Sequence, residues 1–211
     1  MNLTTWRKKY NIPTNKLLAK KCLEYRDARD WYANSRAAID KLLTERYQYP
    51  VYMQRKLFID ILAATSPRQS VKRNLKCTLD IYIELIMGDG NYKKISCGIA
   101  TKQIHKNIER AIISTKELHG QKVRAFAEAL NGNKEAVVID SWVLKAFGIP
   151  RQTPTPNDVV HITTIIKKLS DKVGLAPCEV QACLWSYAKT ELNDTPFKED
   201  NDFSHYIKEL I

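Results

Sequence analysis

No stretch of the 211-residue chain approaches the run of about 18 apolar residues that a membrane-spanning helix needs. The N-terminus has no apolar signal core. The expectation is a soluble protein that is not exported. Cysteine is sparse and badly spaced for structural chemistry. The five residues, Cys22, Cys77, Cys97, Cys178 and Cys183, are odd in number, and no two form Cys-x-x-Cys. Neither a disulfide framework nor a zinc site is expected, and the reducing cytoplasm fits best. No metal or cofactor is expected. Repeats and low-complexity tracts are absent. Glycine occurs only seven times. Breaks fall at Pro50, Pro67, Gly88–Gly90, Gly98, Gly132 and Pro150–Pro156, and the segments between them read mostly as helices.

What the chain does have is positive charge. The formal net charge is +11 and the pI about 9.4. Such an excess favours a polyanionic partner, of which nucleic acid is the commonest, although a ribosomal or membrane-surface protein can show the same balance. Hydrophobic residues make up 44%, enough for one large domain or two small lobes sharing a core.

Residues 14–29 and 30–46 read as a helical N-terminal arm. Leu17, Leu18, Cys22 and Tyr25 fall on one face, and Lys16, Lys20, Lys21, Arg26 and Arg29 supply charge. Residues 53–64 read as a buried helix. The loop Thr65-Ser66-Pro67-Arg68-Gln69 leads to Ser70, a good N-cap for a helix from 71 to about 87. A helix over 101–115 carries Lys102, His105, Lys106 and Arg110 on polar positions. Further helices are expected at about 156–173, 177–191 and 199–210, with Pro177 suited to a first helical position.

The stretch from Leu118 to Phe147 holds two residues able to do chemistry together. Lys122 sits on the first turn of an expected helix, and Asp140 stands eighteen positions on, directly before the next. The turn Asn131-Gly132-Asn133 folds the chain back between them. An amine and a carboxylate can then face one cleft. An Asp before a helix is most often an N-cap, and capping and catalysis can hold at once. A Lys on a first turn is most often solvated or touches phosphate by charge alone.

The wording of this stretch resembles the helix-hairpin-helix DNA glycosylases, the superfamily of endonuclease III and the 8-oxoguanine glycosylases. Gly120-Gln121-Lys122-Val123 matches the end of the family hairpin, and Ile139-Asp140-Ser141-Trp142-Val143 matches the Val-Asp segment after it. The family hairpin usually reads Leu-Pro-Gly-Val-Gly. Here Lys116-Glu117-Leu118-His119-Gly120 keeps only the second glycine, as do some bacteriophage-encoded relatives. The four closely spaced cysteines of the family's iron–sulfur loop are absent. The resemblance covers roughly residues 50–190 and is strongest over 118–147.

The resemblance implies an all-α, two-lobed helix-hairpin-helix glycosylase-like fold with the active site in the groove between lobes. One lobe would be a helical bundle over 51–135, and the other would combine 1–50 with 136–211. Lys122 would be the nucleophile attacking the sugar C1′ of a flipped nucleotide, and Asp140 the supporting carboxylate. The 65–69 loop would be the wedge that fills the gap left by the base, through Thr65, Ser66 and Gln69. Arg68, Lys72 and Arg73 would meet phosphates, and His119, Gly120, Gln121 and Arg124 would line the DNA side of the hairpin. Pocket aromatics could come from Trp31, Tyr32, Phe126, Trp142 and Trp185. The implied activity is base excision with AP-lyase cleavage of duplex DNA carrying a modified or damaged base. The implied protein is a monomer in the cytoplasm, the host's for a phage-encoded protein. Two alternatives stay open: replacement of a group on a hypermodified phage pyrimidine, and a DNA-binding module without catalysis.

Overall fold

A computed structural model of the chain describes residues 1–47, 51–95, 101–113, 117–193 and 202–208. Every regular element among these residues is helical. The α-helices are α1 (Leu3–Tyr10), α2 (Asn15–Glu24), α3 (Trp31–Tyr47), α4 (Val51–Thr65), α5 (Val71–Met87), α6 (Lys102–Ile113), α7 (Gln121–Leu130), α8 (Ser141–Ala146), α9 (Pro156–Val173), α10 (Pro177–Glu191) and α11 (Phe203–Lys208). Short 3-10 turns cover Arg26–Asp30 and Tyr92–Lys94. The all-α expectation holds. No helix among the described residues is long and apolar enough to cross a membrane. Pro50, Cys97, Gly98, Lys116, residues 114–115 of the expected 101–115 helix, and residues 199–201 and 209–210 of the last expected helix lie outside the described residues.

Two departures concern the N-terminal arm. The helix α1 is unanticipated. Asn2 caps it by accepting a hydrogen bond from the Thr5 N–H at 2.9 Å, and it ends at Asn11 in the left-handed region (φ 50°). Its only fully buried side chain is Trp6, so it lacks the repeating apolar positions by which a helix is recognised in sequence. The expected 14–29 helix instead stops at Glu24 and tightens into the 3-10 turn.

The chain divides by its contacts into two compact units. Unit 1 comprises Met1–Tyr32 and Asn133–Asp200, and unit 2 comprises Ala33–Gly132 and Asn201–Ile211. The resemblance had put residues 33–50 with the chain after 136; by contact they belong with unit 2.

In unit 1, α10 packs on α2, α8, α9 and the Arg26–Asp30 turn. Leu18, Cys22, Phe147, Ile165 and Leu184 meet in its core. The N-terminal segment is pinned to α9. The Trp6 indole donates to Asp158 Oδ1 at 2.9 Å, and the Asp158 Oδ2 atom accepts from the Thr155 N–H and hydroxyl at 2.8 Å each. Arg151 adds an ion pair at 3.2 Å. Burial pushes the Asp158 carboxyl up, but the Thr155 N–H, the Trp6 indole, the Thr155 hydroxyl and the Arg151 charge together hold it below the ordinary range.

In unit 2, α4 is the central element and packs on α5, α6 and α7. Phe58, Ile59, Ile61 and Leu62 on it are wholly buried. Ser70 caps α5 as expected, accepting from the Arg73 N–H at 3.3 Å. α11 lies along α5.

Cysteine usage needs one correction. Cys22, Cys178 and Cys183 are free, but Cys77 on α5 is disulfide-bonded. An odd count without Cys-x-x-Cys spacing gave no sign of it, because a disulfide depends on where Cβ atoms meet in space.

Candidate active site

Directly before α7, His119 is held by a side chain of α6. Asn107 on α6 donates to the His119 carbonyl at 2.9 Å and accepts from the His119 N–H at 2.8 Å, satisfying both backbone groups of that residue. The chain then turns through Gly120, whose φ of +99° and ψ of 130° suit glycine and strain any residue with a Cβ. Gly120 offers no side-chain cap, and its carbonyl accepts the first helical bond, from the Arg124 N–H at 3.0 Å. The N-cap position thus supplies no side chain to the first turn of α7.

Lys122 is the second residue of α7, on the first turn as expected, and is half-buried. Among the described residues its amine has no hydrogen-bond or ion-pair partner. Arg124 is committed instead to Glu117, at 3.0 Å. His119 is exposed and Gln121 half-buried.

The expected wedge loop sorts into two halves. Thr65 and Ser66 are buried and turn inward. The Thr65 hydroxyl lies within hydrogen-bond distance of the Ile61 carbonyl (2.9 Å), Asn74 Oδ1 (2.7 Å) and Thr78 Oγ1 (3.1 Å), and Ser66 donates to the Ala63 carbonyl at 2.9 Å. Small hydroxylated residues ending a helix can turn back on it as readily as outward, so the sequence did not distinguish the two. The outer half is Pro67–Gln69. Arg68 is exposed and adopts φ +61°, a left-handed conformation uncommon outside glycine. Lys72 and Arg73, on the first turn of α5, are exposed as phosphate contacts would require.

Asp140, in unit 1, begins α8 with extended backbone (φ −115°, ψ −173°). Its Oδ1 accepts from the N–H groups of Trp142 and Val143, both at 3.0 Å, a complete N-cap. Its Oδ2 accepts from the Trp185 indole Nε1–H at 3.1 Å. Both oxygens are thus oriented, one by α8 and one by α10. The surround is aromatic. Trp31 meets Trp185 edge-on at 6.1 Å between centroids, and Trp31 meets Tyr32 at 5.1 Å. Tyr32 donates to Gln181 Oε1 at 2.6 Å. Burial, followed by the Asp140 charge, pushes the Tyr32 hydroxyl well above its ordinary range. Of the other pocket aromatics suggested, Phe126 sits in the core of unit 2, 6.5 Å from Phe203.

Sequence reasoning missed Lys189. Its amine lies 4.3 Å from the Trp185 ring centroid and 5.9 Å from that of Trp142, and only 6% of the residue is exposed. The local signal was present: Trp185 and Lys189 are four apart on α10 and so share a face. The contact with Trp142 carries no local signal at all. Lys145 flanks the same ring at 5.5 Å. Among the described residues no group of His, Cys, Asp or Glu is arranged to hold a metal.

The chain belongs to a family of unknown function, DUF7178, whose model matches residues 19–192. No curated protein and no solved structure matches it. The matched span includes Lys122, Asp140, Trp185 and Lys189.

Proposed function

We propose that the protein is a DNA glycosylase with AP-lyase activity, in which Lys122 is the nucleophile and Asp140 supports the sugar, on a two-lobed helix-hairpin-helix fold. The observation that carries the reading is the Lys122 amine. It stands at the first turn behind a pinned hairpin, half-buried, with no hydrogen-bond or ion-pair partner among the described residues. A lysine held without an acidic partner suits nucleophilic work better than structural pairing.

A base stacked in duplex DNA must leave the helix before an enzyme reaches its sugar. The excess of positive charge attracts the phosphates. The exposed Arg68, Lys72 and Arg73 are candidates for contacts beside the extruded nucleotide, with Gln69 beside them in the loop. The free Lys122 amine attacks C1′. The N–C1′ bond forms as the glycosidic bond breaks, and the base leaves with that electron pair and a proton. Asp140 stabilises the positive charge that develops on the sugar, and its oriented oxygens need no reorganisation to do so. Loss of the amine proton and opening of the sugar ring give a Schiff base at C1′. Removal of a C2′ proton then expels the 3′ phosphate and nicks the strand.

The test is a panel of duplex oligonucleotides, each with one modified or damaged base, scored separately for base release and nicking. The reading predicts release from at least one substrate, followed by a nick. Tight, salt-sensitive DNA binding with no release from any member of the panel contradicts it.

A further inference from the structure

The Asp140 carboxylate is held by two kinds of donor. The two backbone N–H groups on Oδ1 come with the start of α8 and would be there for any capping residue. The indole on Oδ2 comes from Trp185, 45 positions away on α10. The indole nitrogen is a donor only, so this contact orients the carboxylate and can do nothing else. Lys189 covers that same indole from one helical turn further along α10, 4.3 Å from its centroid.

A surface lysine ordinarily lays its methylenes on apolar neighbours and keeps its head in water. Lys189 is 94% buried, and its head lies over two tryptophan faces. A cation over an indole face is attracted by the ring's electron density. By drawing on that density it polarises the N–H at the ring edge and makes it a stronger donor, as chained polar contacts strengthen one another in a medium of low dielectric.

We propose that Lys189 is a positioning residue: acting through the Trp185 ring, it strengthens the indole hydrogen bond that fixes the orientation of the Asp140 carboxylate. The catalytic consequence rests on the reading of Asp140 as a catalytic group, whereas the positioning itself does not.

The two are tested apart on the full-length chain. The Trp185 indole resonance is assigned in a 15N-labelled sample with W185F, and its hydrogen exchange is followed. D140A should accelerate that exchange by removing the acceptor. K189M keeps the length and packing of the side chain and removes the charge, so a lysine that acts only by packing predicts no change. The proposal predicts faster exchange by about threefold or more, the scale of a cation–π contact, with K189R restoring the wild-type rate. K189Q serves as a second neutral variant should K189M fold poorly. An indole exchange rate unchanged in the folded neutral variant overturns the proposal. In base release, K189M should lower kcat with KM unchanged. A wild-type protein that releases no base, yet whose Trp185 exchange responds to K189M, removes the glycosylase reading and leaves the positioning role standing.

Discussion

Asp140 in unit 1 accepts three hydrogen bonds, from two backbone N–H groups and an indole, whereas Lys122 in unit 2 makes none among the described residues. Both sit at the start of a helix. The difference lies in how each residue is tied to its fold. Asp140 is the cap of α8 and a link to α10, so any change at it alters local structure as well as chemistry. Lys122 projects from a turn whose geometry is set by its neighbours, Asn107 and Gly120, and can be changed with little structural consequence. A carboxylate that stabilises charge gains from being fixed. A nucleophilic amine must move onto the sugar and gains from being uncommitted.

Substitution at Asp140 sharpens the contrast most. Asn keeps the cap, because its carbonyl oxygen can accept the two backbone bonds. Its amide group then faces the Trp185 indole donor to donor, and that bond is lost. D140N should therefore lose base release by about a hundredfold or more and lose about 0.5–1.5 kcal/mol of stability. D140A forfeits the cap as well, a further ~0.5–2 kcal/mol. Urea unfolding and single-turnover release measure the two effects. A fully active D140N leaves Asp140 as a cap alone.

The supports of Lys122 should behave oppositely, failing through stability. G120A forces a Cβ into φ +99° and should cost about 1–3 kcal/mol. Away from Lys122, between α4 and α5, T65A should likewise destabilise by about 1–3 kcal/mol, since it leaves the buried partners of that hydroxyl unsatisfied. If T65A instead leaves the urea midpoint unchanged and reduces only action on duplex DNA, Thr65 belongs to the wedge after all.

Binding should respond more gently. R68A and K72A should each weaken DNA binding about equally across sequences and reduce the slope of log affinity against log salt by about one. Affinity independent of salt removes the nucleic-acid reading.

The smallest effect is the share of the pH dependence that arises at Asp158 in unit 1. The Asp158 carboxyl is held below its ordinary range in the folded chain. A depressed folded value gives stability that is present above the unfolded pKa of about 3.9 and is lost as the pH falls through the folded value. The wild type should lose this contribution below about pH 4. D158N should unfold with a shallower dependence on acid in that window. Equal acid dependence in the two chains rules out Asp158 as its source.

The parts of the fold legible in the sequence were those with a local signal. Apolar period and caps gave α5, with Ser70 before it, and α9 and α10, with Pro177 at a first helical position. The cap role of Asp140 was equally local. What escaped depended on distance along the chain. The Trp185–Asp140 bond joins residues 45 apart, and the Trp6–Asp158 bond residues 152 apart. The inward turn of Thr65 depends on Asn74 and Thr78, whose side chains converge on it only once α4 and α5 pack. Trp142 and Lys189 likewise meet only when α8 and α10 do.

In the proposed mechanism Lys122 forms a covalent bond to the sugar. The most direct measurement mixes the protein with an abasic-site duplex and borohydride, digests the trapped complex and locates the modified residue by mass spectrometry. One adduct is expected, on Lys122, absent from K122Q although that variant keeps the wild-type urea midpoint. An adduct of undiminished yield in K122Q, or one mapped to another amine, contradicts it.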